Sequence, residues 1–196
     1  MTRMHGTTIV AVQRDGVSAI AGDGQVTLGD QIVKRGAVKV RTLSDGAIVA
    51  GFAGAVSDAF TLMDKFEGYL ASSKGNLLKA AVETVKEWRT DRALRNLEAM
   101  LVVADADQIL TLSGAGDVVA PDVPVAAVGS GGAYAHAAAV ALLEHSELGA
   151  ADIAREAIRI AGSIDIYTSG DATVLTVPDG GDGGDGDAAD EDGGEA

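Results

Sequence analysis

The stretch Thr7-Thr8-Ile9-Val10-Ala11-Val12-Gln13-Arg14-Asp15-Gly16-Val17-Ser18-Ala19-Ile20-Ala21-Gly22-Asp23 decides the fold. Two apolar runs, Thr8 to Gln13 and Val17 to Gly22, flank Arg14-Asp15-Gly16. An Asp-Gly pair tolerates the positive φ that a tight turn between twisted strands demands, so the stretch reads as a β-hairpin. The device recurs downstream, with Lys39 to Leu43 and Ala47 to Phe52 around Ser44-Asp45-Gly46. Ile48 to Phe52 is apolar at successive positions, which leaves the strand no polar face and predicts a sheet covered on both sides.

From Val56 the period changes. Val56, Ala59, Phe60, Met63, Phe66 and Leu70 follow the three-and-four spacing of one helix face, predicting a helix from about Ala55 to Ser72. After Gly75-Asn76, the residues Leu78, Ala81, Val82, Val85 and Trp88 repeat that spacing, with Lys79, Glu83, Lys86 and Glu87 turned outward. A third hairpin is expected over Met100 to Ala104 and Gln108 to Leu112, followed by a strand Val125 to Val128, helices Ala133 to Leu143 and Ala151 to Ala161, and strand material at Ile164 to Tyr167 and Thr173 to Val177. Helices that come in pairs between meanders argue against a doubly wound parallel sheet. The order predicts an α+β fold, two sheets stacked face to face with a helical pair outside each: a four-layer αββα sandwich.

Composition narrows the function. The chain of 196 residues has 29 acidic and 15 basic side chains, a net charge of -14, which excludes the basic footprint of a nucleic-acid binder. The segment Pro178 to Ala196 holds eight acids and no base, so six of those excess negative charges belong to the remainder. With only glycine, alanine, aspartate and glutamate after the proline, it offers no apolar surface to offset ordering and reads as an acidic disordered tail, 178–196. Cysteine is absent, which removes disulfides, thiolate nucleophiles and cysteine-ligated zinc. Apolar runs stay well short of the roughly 20 residues that cross a bilayer, and Met1 to Gly6 has no apolar core of a secretory signal, so a cytoplasmic protein is expected.

Familiar catalytic constellations are missing: no Walker loop, no paired-histidine zinc helix, no Gly-x-Ser-x-Gly elbow. His5, His136 and His145 have no serine and carboxylate arranged around them in sequence and read as structural or solvated. Gly129-Ser130-Gly131-Gly132, between a strand and a helix, is either a phosphate nest or a tight turn that lets backbone approach. Lys34, Arg35, Lys39 and Arg41 form a basic cluster whose plain reading is a charged surface edge. The informative place is Gly6-Thr7-Thr8. If a leader, residues 1–6, were cut after Gly6, Thr7 would carry a free α-amine beside its own hydroxyl, and that amine can act as the base that a threonine nucleophile needs. An ordinary α-amine titrates near 7.7 to 8.0, so a modest downward push leaves much of it basic.

The segments Thr7-Thr8-Ile9-Val10, Ala21-Gly22-Asp23-Gly24-Gln25-Val26 and Lys39-Val40-Arg41 together resemble the HslV (ClpQ) family, peptidase subunits of the bacterial two-component ATP-dependent protease and relatives of proteasome β subunits. Ala50-Gly51-Phe52-Ala53-Gly54 leading to Asp58-Ala59-Phe60-Thr61-Leu62, Glu87-Trp88-Arg89-Thr90-Asp91-Arg92 and Gly129-Ser130-Gly131-Gly132 extend the resemblance in order to Val177. It implies an N-terminal-nucleophile hydrolase over 7–177: a threonine endopeptidase in two stacked hexameric rings, fed by a hexameric AAA+ ATPase, HslU, which uses the ATP and threads in unfolded proteins. By position, Thr7 is then the nucleophile and its amine the base. Lys39 tunes proton affinity, Asp23 holds Lys39, the Gly54 N–H is the oxyanion donor and Ser130 supports the amine. Gly162, Asp165 and Thr168 fall where the family places carbonyls around a cation, sodium, potassium or magnesium; no organic cofactor is implied.

The chain departs from the family pattern in three ways. Here Met1 to Gly6 must be removed, where many members have methionine directly before the threonine. Asp165 stands where cysteine is common, and Asp165-Ile166-Tyr167-Thr168 is closer to the aspartate-x-x-serine of proteasome β subunits, which suggests a direct structural role near Thr7. The acidic tail runs past the usual end. Two other readings stand beside the peptidase: a small-molecule amidase using the same amino-terminal machinery, and a non-catalytic ring subunit that keeps its leader. The Gly6-Thr7 junction, as in processed proteasome subunits, favours the peptidase.

Overall fold

The computed structural model describes residues 4–54, 56–91 and 99–178. The first three residues of the expected leader, Ala55, Arg92 and the expected tail from 179 onward lie outside the described residues. The expected first hairpin is β2 (Thr8–Arg14) and β3 (Val17–Asp23), joined at Asp15 and Gly16, both with positive φ. β11 (Val125–Gly129) pairs with β2 and β12 (Ala172–Val177) with β3, giving the antiparallel order β11-β2-β3-β12. A second sheet has the order β10-β9-β8-β7-β6, from β6 (Val40–Leu43), β7 (Ile48–Gly54), β8 (Ala99–Ala104), β9 (Ile109–Ser113) and β10 (Val118–Val119).

Helices α1 (Val56–Ser72) and α2 (Leu77–Thr90) pack on the outer face of the second sheet, and α3 (Gly132–His145) and α4 (Ala150–Gly162) on that of the first. This is the expected four-layer sandwich. Strand alternation divides the apolar residues among three cores. Val10, Val12, Ala19 and Ala21 face Ile153, Ala157 and Ile158 of α4. Ile48, Ala50 and Phe52 face Met63, Phe66 and Val85 of α1 and α2. Ile9, Ala11, Ile20, Val49 and Val102 meet between the sheets. Strands apolar on both sides are therefore what a double-covered sheet requires. The sheets approach closely at Gly51, where a Cβ would lie 2.8 Å from Ile9 Cγ2 and 2.9 Å from Ile20 Cδ1.

Boundaries follow local chemistry. Asn76 caps α2 by accepting from the Lys79 N–H at 2.8 Å, satisfying an amide that the first helical turn leaves open. Between the helices, the Glu87 carboxylate accepts from Lys65 Nζ at 2.5 Å and from the Tyr69 hydroxyl at 2.8 Å. These two donors hold the Glu87 carboxyl below its ordinary value.

One sequence expectation needs correction, and one small sheet went unannounced. Ile164 to Tyr167 is a turn, not strand material: Ile164 and Asp165 N–H groups close on the Ala161 carbonyl, Thr168 N–H on the Asp165 carbonyl, and the Asp165 carboxylate accepts from the Tyr167 N–H. The aspartate side chain bonds its own neighbouring backbone and so outcompetes a sheet ladder. The segment 24–38 holds strands that no periodicity announced. β4 (Val26–Leu28) and β5 (Gln31–Lys34) form a small sheet with β1 (Met4–His5), in the order β1-β4-β5. β5 is exposed throughout, so it lacks the alternation by which a half-buried strand is read.

Candidate active site

β3 ends on Asp23, beside the first residue of β2. The aspartate is fully buried, and its two oxygens accept from four donors: Thr8 N–H at 2.7 Å and Lys39 Nζ at 2.8 Å on Oδ1, Gln25 N–H at 2.9 Å and Ser169 N–H at 3.2 Å on Oδ2. A carboxylate with its lone pairs thus occupied is tolerable in a dry interior. Lys39 reaches this point because the β4–β5 hairpin returns across Gly24, with Ala37 N–H on the Gly24 carbonyl at 3.0 Å, and because Phe52 N–H holds the Lys39 carbonyl at 3.2 Å.

Lys39 is 3% exposed. Its ammonium donates to Asp23 Oδ1, to the Gln25 carbonyl at 2.5 Å and to the Gly6 carbonyl at 2.8 Å, all the donors it has. Burial lowers its proton affinity below that of an ordinary lysine, and Asp23 opposes the shift only in part. Of the basic cluster, Lys39 alone is interior; Lys34, Arg35 and Arg41 are exposed.

Thr7 is buried, and its hydroxyl donates to the same Gly6 carbonyl at 2.7 Å. The bond preceding Thr7 therefore carries two donors on its oxygen, one from the candidate nucleophile and one from Lys39. The leader's β1 pairs antiparallel with β4, His5 opposite Thr27, and Gly6 at φ +115 turns the chain into the site. On the other side, the glycine-rich turn holds the threonine pair by its backbone: Ser130 N–H donates to the Thr7 carbonyl at 3.0 Å, and Gly131 N–H to Thr8 Oγ1 at 2.9 Å. A Cβ on Gly129, at φ +98, would lie 1.8 Å from the Thr7 carbonyl oxygen. Of the two readings of this turn, close backbone approach is the one the contacts carry. Ser130 itself is exposed and reaches Thr7 through its amide.

Asp23, Lys39 and Ser130 thus converge on Thr7 and the bond before it. Gly54 does not join that hydrogen-bonded group: it closes β7 in the other sheet, opposite Ala99, exposed and at φ +142. Gly162, Asp165 and Thr168 lie on one tight return, where a Cβ on Gly162 would lie 2.7 Å from Gly170 N. The side chains of Asp165 and Thr168 are engaged as well: Thr168 Oγ1 donates to Asp165 Oδ2 at 2.5 Å and lies 2.6 Å from Thr8 Oγ1. Since the single Thr168 hydroxyl proton is given to Asp165, Thr8 Oγ1 donates to Thr168 Oγ1 while accepting from the Gly131 N–H. The chain of hydroxyls that starts at Thr8, the neighbour of Thr7, ends on the Asp165 carboxylate. Thr8, Gln25 and Ser169 were absent from the sequence-derived site; a buried threonine doublet opening an apolar strand was the one sign available for Thr8.

A sandwich of two stacked sheets in which a threonine hydroxyl and a buried lysine–aspartate pair meet at the carbonyl before that threonine is consistent with the class of N-terminal-nucleophile hydrolases. The comparisons agree. A family model described as proteasome subunit matches residues 4–177. The ATP-dependent protease subunit HslV of Petrotoga mobilis is 55% identical over 170 residues, 87% of this chain and 96% of that protein, and that of Desulfovibrio desulfuricans 57% over 174 residues, 88% and 98%. The crystal structure of eukaryotic HslV from Trypanosoma brucei superposes with a TM-score of 0.82 at 43% identity, covering 86% of this chain and 98% of that one. The chain belongs to the HslV family of proteasome-type proteins, and it is a threonine peptidase, a protease subunit of the ATP-dependent kind.

Proposed function

We propose that Thr7 becomes the amino-terminal nucleophile by cutting the Gly6–Thr7 bond itself. The observation that carries this is the shared Gly6 oxygen, 2.7 Å from Thr7 Oγ1 and 2.8 Å from Lys39 Nζ. Attack of Thr7 Oγ on the Gly6 carbonyl carbon places negative charge on that oxygen, next to a buried ammonium that is already oriented. Collapse breaks the C–N bond, the proton lost by Oγ ends on the departing Thr7 nitrogen, and an ester is left on Thr7. Water then hydrolyses the ester, releasing residues 1–6 with Gly6 as the free acid and freeing the α-amine. In the processed enzyme that amine takes the Oγ proton, Oγ attacks the peptide carbonyl, and an acyl-enzyme forms and is hydrolysed.

In this scheme Lys39, held by Asp23, keeps the local field positive and the amine's proton affinity low. The Ser130 amide fixes the Thr7 carbonyl, and the Gly54 N–H serves as oxyanion donor by family position. We further propose that Gly162, Asp165 and Thr168 offer carbonyls to sodium, potassium or magnesium: the site closes the C-terminal, negative end of α4, and oxygen donors suit a hard cation. Assembly into two stacked hexameric rings, partnership with a hexameric AAA+ ATPase and a cytoplasmic location complete the proposal, supported by family membership.

The test is intact mass. Wild-type chain is expected to lose residues 1–6 while Thr7→Ala keeps them and cuts no peptide. Retention of the leader in both would overturn the scheme and favour a scaffolding subunit. Cleavage of small amides with no cleavage of a hydrophobic peptide would favour an amidase.

A further inference from the structure

Gln25, between β3 and β4, is 3% exposed, and its side chain takes no part in the Thr7 chemistry. Its main chain does: the N–H donates to Asp23 Oδ2 at 2.9 Å and the carbonyl accepts from Lys39 Nζ at 2.5 Å. Any residue at this position could make those two contacts, but not the third. Gln25 Nε2 donates at 2.8 Å to the carbonyl of Ile166, 141 positions away on the return that follows α4. That reach requires a side-chain donor on a stem of this length. The return is a firm anchor: Asp165 N–H closes on the Ala161 carbonyl at 2.8 Å, Thr168 N–H on the Asp165 carbonyl at 3.1 Å, and Thr168 Oγ1 lies 2.6 Å from Thr8 Oγ1 at the start of β2. On the other flank, Gly24 is pressed against the Arg35 carbonyl, where a Cβ would lie 2.1 Å from the oxygen.

We propose that Gln25 is a positioning residue: by clamping onto Ile166 it fixes its own carbonyl, and that carbonyl orients the Lys39 ammonium. An ammonium is a set of three donors that turn together at the end of a flexible stem. Asp23 Oδ1, itself held by the Thr8 N–H, sets one N–H, and the Gln25 carbonyl sets a second. With two directions set, the third has no freedom left and falls on the Gly6 carbonyl at 2.8 Å, the oxygen that gains charge when Thr7 attacks. When the leader has gone, the same N–H is left facing Thr7, whose hydroxyl shared that oxygen. Without the clamp the Gln25 carbonyl swings away, one N–H loses its acceptor in a dry interior, and the ammonium turns to recover it at the expense of its aim. Asp23 alone holds Lys39 in place; Asp23 and Gln25 together set its orientation.

The inference rests on Thr7 as nucleophile with Lys39 beside it, and two measurements keep the claims separate. The first needs no activity. In the leader-retaining Thr7→Ala chain, Gln25→Met, which keeps the length and removes the donor, is expected to make the Lys39 ammonium protons exchange with water about threefold to tenfold faster by NMR, the loss of one hydrogen bond. The second is kinetic. With Thr7 present, Gln25→Met is expected to slow the loss of residues 1–6, followed by intact mass. Once processed, it is expected to lower kcat for a fluorogenic peptide about tenfold to a hundredfold with KM within about twofold of wild type, because a misaimed group weakens the transition state and not substrate binding. Gln25→Asn keeps the amide but stops short of Ile166 and is expected to match Gln25→Met in both; it carries the test if the methionine variant does not fold. Wild-type exchange or wild-type kcat in a folded variant overturns the proposal and leaves Thr7 as nucleophile, as does a lower melting temperature with kcat unchanged, which would make Gln25 merely structural. A wild-type chain that keeps its leader and cuts no peptide overturns the nucleophile reading itself, with the exchange measurement still deciding the clamp.

Discussion

At the scale of single residues, the site is governed by how buried charge is accommodated. Lys39 and Asp23 neutralise one another inside the sandwich, and removing either leaves the other uncompensated, at a cost of about 3–5 kcal/mol. Because burial depresses the Lys39 proton affinity, the folded chain releases that proton at a lower pH than the unfolded chain does. Between those two values the unfolded state binds more protons, so this residue's contribution to stability is smallest at lower pH and rises with pH up to the ordinary lysine value. Heteronuclear NMR of Lys39 in the Thr7→Ala chain should give a titration midpoint below an ordinary lysine's. Asp23→Asn should move it lower still, since the charge of Asp23 and its hydrogen bond oppose the effect of burial; an unchanged or higher midpoint would show that the pair is not what sets it.

Elements impose a different constraint, that of approach. The two sheets meet at Gly51 because Ile9 and Ile20 occupy the volume its side chain would need. Gly51→Ala therefore overpacks the inter-sheet core and should cost roughly 1–3 kcal/mol in urea unfolding with an unchanged m-value; wild-type stability would mean that the sheets can part without strain. The end of α4 carries the other prediction at this scale. If carbonyls at Gly162, Asp165 and Thr168 bind a cation, sodium, potassium or magnesium should raise the melting temperature in a saturable way, beyond a control of matched ionic strength with a bulky organic cation. A purely ionic-strength response would remove the site.

For the whole molecule, stability resides in three apolar layers between β2 and β12, and the acidic segment after Pro178 is composed of glycine, alanine, aspartate and glutamate alone. A chain ended after Pro178 should keep the melting temperature of the full chain and, by native mass spectrometry, the same number of subunits; a lower stoichiometry would assign the tail a role in assembly. Much of this architecture was legible beforehand. The Asp-Gly turns, the doubly apolar strands and the paired helical stripes state locally which backbone each segment adopts and how many of its faces are buried, and from these the four layers follow. Gly6-Thr7, Asp23, Lys39 and the glycine turn were legible too, the threonine through its chemistry and the others through family pattern. Tertiary structure alone decided that Asp23 accepts from the amides of Thr8, Gln25 and Ser169, the last 146 positions away, that the Thr8 hydroxyl is hydrogen-bonded to Thr168 and Thr168 in turn donates to Asp165, and that Thr27 holds an unpaired hydroxyl beside Gly6. Periodicity records burial along one element, whereas the partner of a buried polar group is set by register and turn closure between elements, which leave no local trace in the chain.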